Sequence, residues 1–323
     1  MAALQRRGSE DAEKARSGYH LEQILSEPGV SAVKNGTAKA LRARREECEK
    51  IKLCVLCAFA VKTILTPMLK SLLAHPLTRG LDIDDPRTTH LRSQIIQEKA
   101  FLRQIYQEWY RAIVAFLPTG KGAVMELGSG GGFMSDFVPA LITSELFYCP
   151  NIRAVLDGSR LPLVGNSLRG IVMTNVLHHL PQPRLFFSEA TRCVRPGGVV
   201  AMIEPWVTAW SRFVYTRLHH EPFYPETLSW ELPTSGPLSG ANNALPWIIF
   251  ARDRVTFERE FPHWRIELIK PIMPFRYLLS GGVSLRSLAP GWSFGLWRRI
   301  ENALDCRSNQ LATFAQIVLR RLD

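Results

Sequence analysis

From Ala123 onward the chain alternates short apolar runs with polar and glycine-bearing turns. Residues 124–127, 141–143, 153–156, 170–174 and 199–203 are each of strand length, and the stretches 133–140 and 184–194 between them have helical composition. Strands alternating with helices predict right-handed crossovers and a parallel sheet, hence a doubly wound α/β domain. Upstream the period is different. Asp84-Asp85-Pro86 offers a helix cap with proline in the first turn, and Leu91, Ile95, Leu102, Ile105, Trp109, Ile113 and Phe116 recur at helical spacing until Leu117-Pro118-Thr119-Gly120 ends the pattern. Residues 1–50 are polar and poor in aromatics, and the mixed-charge run 42–50 reads as a solvated face or a disordered lead-in. The expected organisation is therefore a polar or amphipathic extension over 1–67, a helical cap region over 68–118, and a domain over 119–323 with insertions at 206–250 and 271–307. The abrupt change at Pro67-Met68 suggests Met68 as the natural start, with the preceding segment dispensable.

Composition changes this picture little. The 323 residues are 46% hydrophobic and 21% charged, enough to bury a core, and the net charge of +11 is spread along the chain rather than clustered. A nucleic-acid partner is permitted but not demanded. Six irregularly spaced cysteines do not form a disulfide framework, which points to a reducing, cytoplasmic setting. Cys54 and Cys57 have metal-like spacing but no second pair nearby, so they read as neighbours on one helix face. The first 30 residues lack the apolar centre of a secretory signal. Lys62, Pro67 and Lys70 interrupt the most apolar stretch, so no transmembrane span is expected, although a basic amphipathic helix within 51–73 would allow peripheral membrane contact.

The segment Glu126-Leu127-Gly128-Ser129-Gly130-Gly131-Gly132-Phe133 lies between the first strand and a helical stretch, where a glycine-rich turn lets backbone approach a ligand at the carboxyl edge of a sheet. A nicotinamide fingerprint would place its third glycine at Phe133, and a P-loop would need Lys-Ser/Thr where Phe133-Met134 stand; both are disfavoured. An acidic residue two positions before G-x-G-x-G resembles the class I S-adenosylmethionine-dependent methyltransferases. The likeness extends through Leu156-Asp157-Gly158-Ser159-Arg160-Leu161-Pro162, through Val172-Met173-Thr174-Asn175-Val176-Leu177-His178-His179-Leu180 (the type 11 pattern), and through Arg195-Pro196-Gly197-Gly198. Ser167-Leu168-Arg169 departs from it, because an acid is usual where Arg169 stands; a local packing change is expected there.

The resemblance implies a seven-stranded, mostly parallel Rossmann-like sheet whose last strands are residues 265–269 and 311–320, the latter antiparallel. It implies S-adenosyl-L-methionine as cofactor. Gly128, Ser129, Gly130 and Gly132 would wrap its amino-acid part and Glu126 would anchor that end. Glu145 would take both ribose hydroxyls, and Asp157, beside Gly158, the adenine amino group; Asn175 completes the expected contacts. Taken singly, Glu145 and Asp157 are ordinary surface carboxylates, and only their register with the loop marks them. Two acceptor oxygens on one carboxylate suit a vicinal diol.

Methyl transfer from a sulfonium is an in-line displacement on an activated donor, so few residues need be catalytic. For a hydroxyl acceptor a histidine base is the usual aid, with His178 as the catalytic candidate and His219 and His220 as others. Trp206, Trp210, Phe213, Tyr215, Phe223, Tyr224, Trp230 and Trp247 should form a lid or substrate wall, or else pack an insert; Arg276 and Arg286 could hold an anionic or glycosyl acceptor, solvated arginines being the commoner case. The expected function is methylation, on oxygen, of a small molecule or a lipid- or sugar-linked metabolite. A nucleic-acid or protein methyltransferase and a non-catalytic cofactor-binding scaffold are the alternatives. The [DN]-P-P-[YF] of amino-methylating nucleic-acid enzymes is replaced by Asn175-Val176-Leu177-His178, so a nucleic-acid partner is not expected.

Overall fold

A computed structural model describes residues 73–81, 84–219, 221–232 and 240–323. The N-terminal extension, the Cys54/Cys57 pair, the proposed membrane-contact segment up to residue 72, and His220 lie outside the described residues.

Seven strands form one sheet: β1 (Ala123–Leu127), β2 (Ile142–Glu145), β3 (Ala154–Val155), β4 (Leu168–Thr174), β5 (Val194–Pro205), β6 (Trp264–Ile272) and β7 (Phe314–Arg321), in the order β3-β2-β1-β4-β5-β7-β6. The first five pair in parallel, and β7 runs antiparallel between β5 and β6. This is the expected doubly wound, seven-stranded mixed sheet, and every expected strand is found. β5 is much longer than expected, because residues 195–198 bulge from the sheet: Leu168 pairs with Val194, but Gly170 pairs with Val199.

The central strands read as almost continuous apolar runs because both sheet faces are covered. Alternate residues separate into two cores. Val124, Val172, Val199, Ala201, Ile203 and Val318 face the core shared with the N-terminal helices. Met125, Ile171, Met173, Val200, Met202 and Ile317 face the core shared with α3 and residues 244–261. The N-terminal helices are α1 (Pro86–Glu98) and α2 (Ala100–Val114), while α3 is Pro183–Cys193. Asp85 caps α1, its carboxylate accepting from the Arg87 N–H at 2.9 Å, with Pro86 at the first position. The helical spacing expected up to Phe116 is realised as α1 and α2, which part at Lys99 (φ −84°, ψ 88°), whose Nζ donates to the carbonyls of Gly282 (2.6 Å) and Leu285 (2.8 Å).

The helix expected over 133–140 does not form; only a single 3₁₀ turn, Met134–Asp136, follows the glycine loop. Phe133, Met134, Val138 and Leu141 are buried against Tyr110 and the rest of the N-terminal core. That side of the sheet is already covered by α2, so the short crossover inserts side chains beneath it instead of supplying a layer of its own.

The insertion after β6 carries α6 (Arg276–Ser280) and α7 (Phe294–Ala303). Before it come α4 (Ala209–Arg217) and α5 (Arg254–Glu260). Arg276 is buried and bonds to Glu301 (2.5 Å) and Glu108 (2.5 Å), and Glu301 also accepts from the N–H groups of Phe275 and Arg276. This satisfied buried pair ties the insertion to α2. Arg276 therefore belongs to the framework, and exposed Arg286 does not line the cavity described below, so neither arginine is an acceptor clamp as the sequence suggested. Arg169, the departure at the start of β4, donates to the Pro118 carbonyl (2.7 Å), a local packing role as expected.

Candidate active site

The carboxyl ends of β1, β2, β4 and β5 open into one cavity of about 350 Å³, at the edge where doubly wound sheets hold ligands. Its floor is the glycine loop. Gly128 has φ +66°, and a Cβ there would stand 2.5 Å from Val176; a Cβ on Gly132 would stand 2.5 Å from the Tyr110 hydroxyl. The loop is fastened to β2: the Ser129 N–H donates to Ser144 O (2.8 Å), and the Ser129 hydroxyl accepts from the Ser144 N–H (3.1 Å).

Glu126, Gly128, Ser129, Gly130, Gly132, Glu145, Gly158, Asn175 and His178 all line this cavity. Asp157 does not. It is exposed, and its carboxylate turns back to accept from the Ser159 N–H at 2.8 Å, closing its own turn. Glu126 is 3% exposed, and burial, opposed by a Ser129 hydrogen bond and reinforced by Glu145, pushes its carboxyl up to about 8. Burial also raises Glu145, against hydrogen bonds from the backbone of Leu146 and Gly130. Asn175 adopts φ +59°, and its Oδ1 and the neighbouring Thr174 Oγ1 are buried without hydrogen-bond partners among the described residues.

His178 is held more tightly than the sequence indicated. Its Nδ1 lies 2.8 Å from Glu204 Oε2, while Glu204 Oε1 accepts the N–H groups of Val176 and Leu177, both at 2.8 Å. Its Nε2 faces Glu221 Oε2 at 3.7 Å. Burial opposes charging of the imidazole, but the two carboxylates outweigh it and raise His178 to about 9. Burial likewise opposes charging of Glu221, and the imidazoles of His178, His219 and His179 nevertheless hold it well below the usual carboxylate range.

Glu204, Glu221, His179 and Asn243 were missed as site residues. Glu204 was visible as the acid ending the fifth apolar run, and Glu221 as the second residue after His219. Of the eight insertion aromatics only Tyr215 lines the cavity. Trp206 and Trp230 lie in the core and Trp210 stacks on Phe213, so most of that group packs the insert rather than walls a substrate.

Residues 125–202 match the family model for a methyltransferase domain of type 11. Over those residues the chain carries a methyltransferase domain. Solved structures similar to this methyltransferase are distant. One is a chain in the complex of the Haloferax volcanii Trm112 methyltransferase activator with a methyltransferase, at 11% identity over 75% of this chain and 98% of that one, with TM-score 0.43. Others are the geranyl diphosphate C-methyltransferase of Streptomyces coelicolor A3(2), at 11%, 71%, 82% and 0.39, and an S-adenosylmethionine-dependent methyltransferase of Mesorhizobium loti, at 12%, 65%, 96% and 0.39. No curated protein matches the sequence significantly.

The methyltransferase's cavity suits its cofactor, S-adenosyl-L-methionine. A buried carboxyl suits an ammonium group, and two unpartnered buried oxygens suit ligand donors. No helix among the described residues is long and apolar enough to cross a membrane.

Proposed function

We propose that this methyltransferase acts on a hydroxyl oxygen of a small molecule, or of the compact reactive end of a lipid- or sugar-linked metabolite. The observation that carries this reading is the cavity roof. It is built by Ile96 of α1, by Tyr215, Leu218 and Asn243 of the first insertion, and by Tyr277 and Val283 of the second, so the acceptor end is walled on several sides. A concave cavity of this size, walled by both insertions and α1, favours a compact acceptor over a duplex or a folded protein surface.

In this reading Glu126 receives the cofactor's ammonium group, while Gly128, Ser129, Gly130 and Gly132 offer backbone along its amino-acid part. Glu145 takes the ribose hydroxyls. Gly158 lines the adenine end with main chain, and Asp157 shapes that turn through Ser159 instead of reaching the base. Asn175 Oδ1 and Thr174 Oγ1 accept donors from the ligand. S-adenosylmethionine supplies an electrophilic methyl group on a sulfonium. The protein's share is alignment and exclusion of water. Glu204 fixes the His178 ring, and His178 acts with Glu221 on the acceptor's proton at the walled end of the cavity.

The test is transfer from methyl-labelled S-adenosylmethionine to pools of small hydroxyl compounds, cell lipids, RNA and protein. Label in the small-molecule or lipid pool is the expected result. Label in RNA accompanied by a salt-sensitive mobility shift, or label in protein, would overturn the acceptor class. Cofactor binding with no transfer to any pool would favour the scaffold alternative.

A further inference from the structure

His178 and His179 stand on the turn after β4 and Glu221 in the insertion after β5, yet a ligand atom from each lies within 4.8 Å of the other two. We propose that these three side chains bind a first-row divalent transition-metal ion at the acceptor end of the cavity. The binding itself stands on these residues alone; its service to the acceptor rests on the O-methylation reading above.

Three features of the geometry favour an ion. The 3.7 Å between His178 Nε2 and Glu221 Oε2 is long for a direct hydrogen bond. It is near the separation of roughly 3.4 Å expected for two donors each about 2.0–2.1 Å from one tetrahedral ion. The Nδ1 side of His178 is engaged by Glu204, which directs Nε2 inward, as carboxylate partners do for metal-bound histidines. Glu204 is itself pinned by two backbone N–H groups, and Glu221 is steadied by Asn243 Nδ2 at 3.2 Å. Two imidazoles and one carboxylate select an ion of the zinc or iron(II) type over magnesium or calcium, which prefer all-oxygen sets.

Three protein ligands leave coordination positions open towards the cavity. An acceptor hydroxyl taking one of them would lose its proton to solvent near neutral pH. The resulting oxygen would form its bond to the methyl carbon as the carbon–sulfur bond breaks, the electron pair passing to sulfur to leave the neutral thioether. The ion would thus take over the proton handling that His178 and Glu221 otherwise perform.

The full chain, stripped of metal, is titrated calorimetrically with Zn²⁺, and with Co²⁺ as a visible-absorption probe. Glu221→Gln and His179→Ala are tested in parallel, with exposed His263→Ala as control. S-adenosylhomocysteine is titrated separately into each protein. One equivalent of Zn²⁺, a ligand-field band with Co²⁺, and affinity reduced at least about 10-fold in both ligand variants but not in the control are expected. The two variants lie on separate segments, so a folding failure of one leaves the other decisive. No stoichiometric metal binding, or binding undiminished in the folded variants, overturns the site. Binding of S-adenosylhomocysteine without metal binding refutes the metal site alone; metal binding without S-adenosylhomocysteine binding supports it and refutes the cofactor assignment.

Discussion

Replacing Glu126 by Gln separates the cost of a buried acid from its use. The carboxyl is 3% exposed and titrates at about 8 in the folded protein instead of its usual 4.5. Between those values the folded chain holds a proton that the unfolded chain has lost, so stability falls as pH rises through the window and is level above it. At about 1.4 kcal/mol per pH unit, the loss reaches on the order of 5 kcal/mol by pH 8.5. Glutamine keeps the shape and removes the charge. Glu126→Gln should therefore match the wild type near pH 5 and exceed its melting temperature by roughly 10 °C at pH 8.5, given about 2–4 °C per kcal/mol for a domain of this size. Ligand affinity should move the other way. Losing a hydrogen bond to a charged partner costs about 1.5–3 kcal/mol, or roughly 10- to 150-fold in affinity for S-adenosylhomocysteine. Differential scanning fluorimetry at pH 5, 6.5 and 8.5, with and without that ligand, reads both effects. A stability offset independent of pH, or undiminished ligand affinity in the variant, would refute the reasoning.

Other substitutions probe separate parts of the account. Gly128→Ala forces a Cβ to within 2.5 Å of Val176 at φ +66°, and should cost about 1–3 kcal/mol in denaturant unfolding as well as cofactor binding. Glu145→Ala should weaken S-adenosylhomocysteine at least about 10-fold by calorimetry, whereas Asp157→Ala, which loses only its hydrogen bond to Ser159, should change affinity less than about 3-fold. Lys99→Met removes the donor from Gly282 O and Leu285 O. It should lower stability by about 1–3 kcal/mol and speed amide exchange over residues 281–285. Arg276→Leu strands Glu301 and should cost about 3–5 kcal/mol, visible as a drop in melting temperature.

The strands and the glycine loop were legible because their signals are local: an apolar run between turns, and an acid and glycines at fixed spacing. The resemblance supplied the seven strands and the antiparallel last one, whereas the order β3-β2-β1-β4-β5-β7-β6 is seen only in the structure. The missing helix at 133–140 was not legible, since Phe133, Met134 and Val138 can line a helix face or plug a gap beneath another helix, and only the presence of α2 decides. Arg276 looked like an anion clamp because its partners, Glu108 and Glu301, stand far away in sequence. Asp157 stands outside the cavity lining for the opposite reason. Its competitor for hydrogen bonding is two residues away, and an Asx turn cannot be told from a ligand contact by spacing. Glu221 was hidden in an insertion with no motif around it, and gains meaning only where the fold brings it opposite His178.

The most direct test of the central claim is calorimetric titration of the folded chain with S-adenosylhomocysteine beside Glu145→Ala. Saturable binding of one ligand per chain, clearly weaker in the variant, is the expected result. A folded wild type that yields no binding heat at several temperatures, or a Glu145→Ala variant that binds as tightly, would contradict the assignment of this cavity to the cofactor.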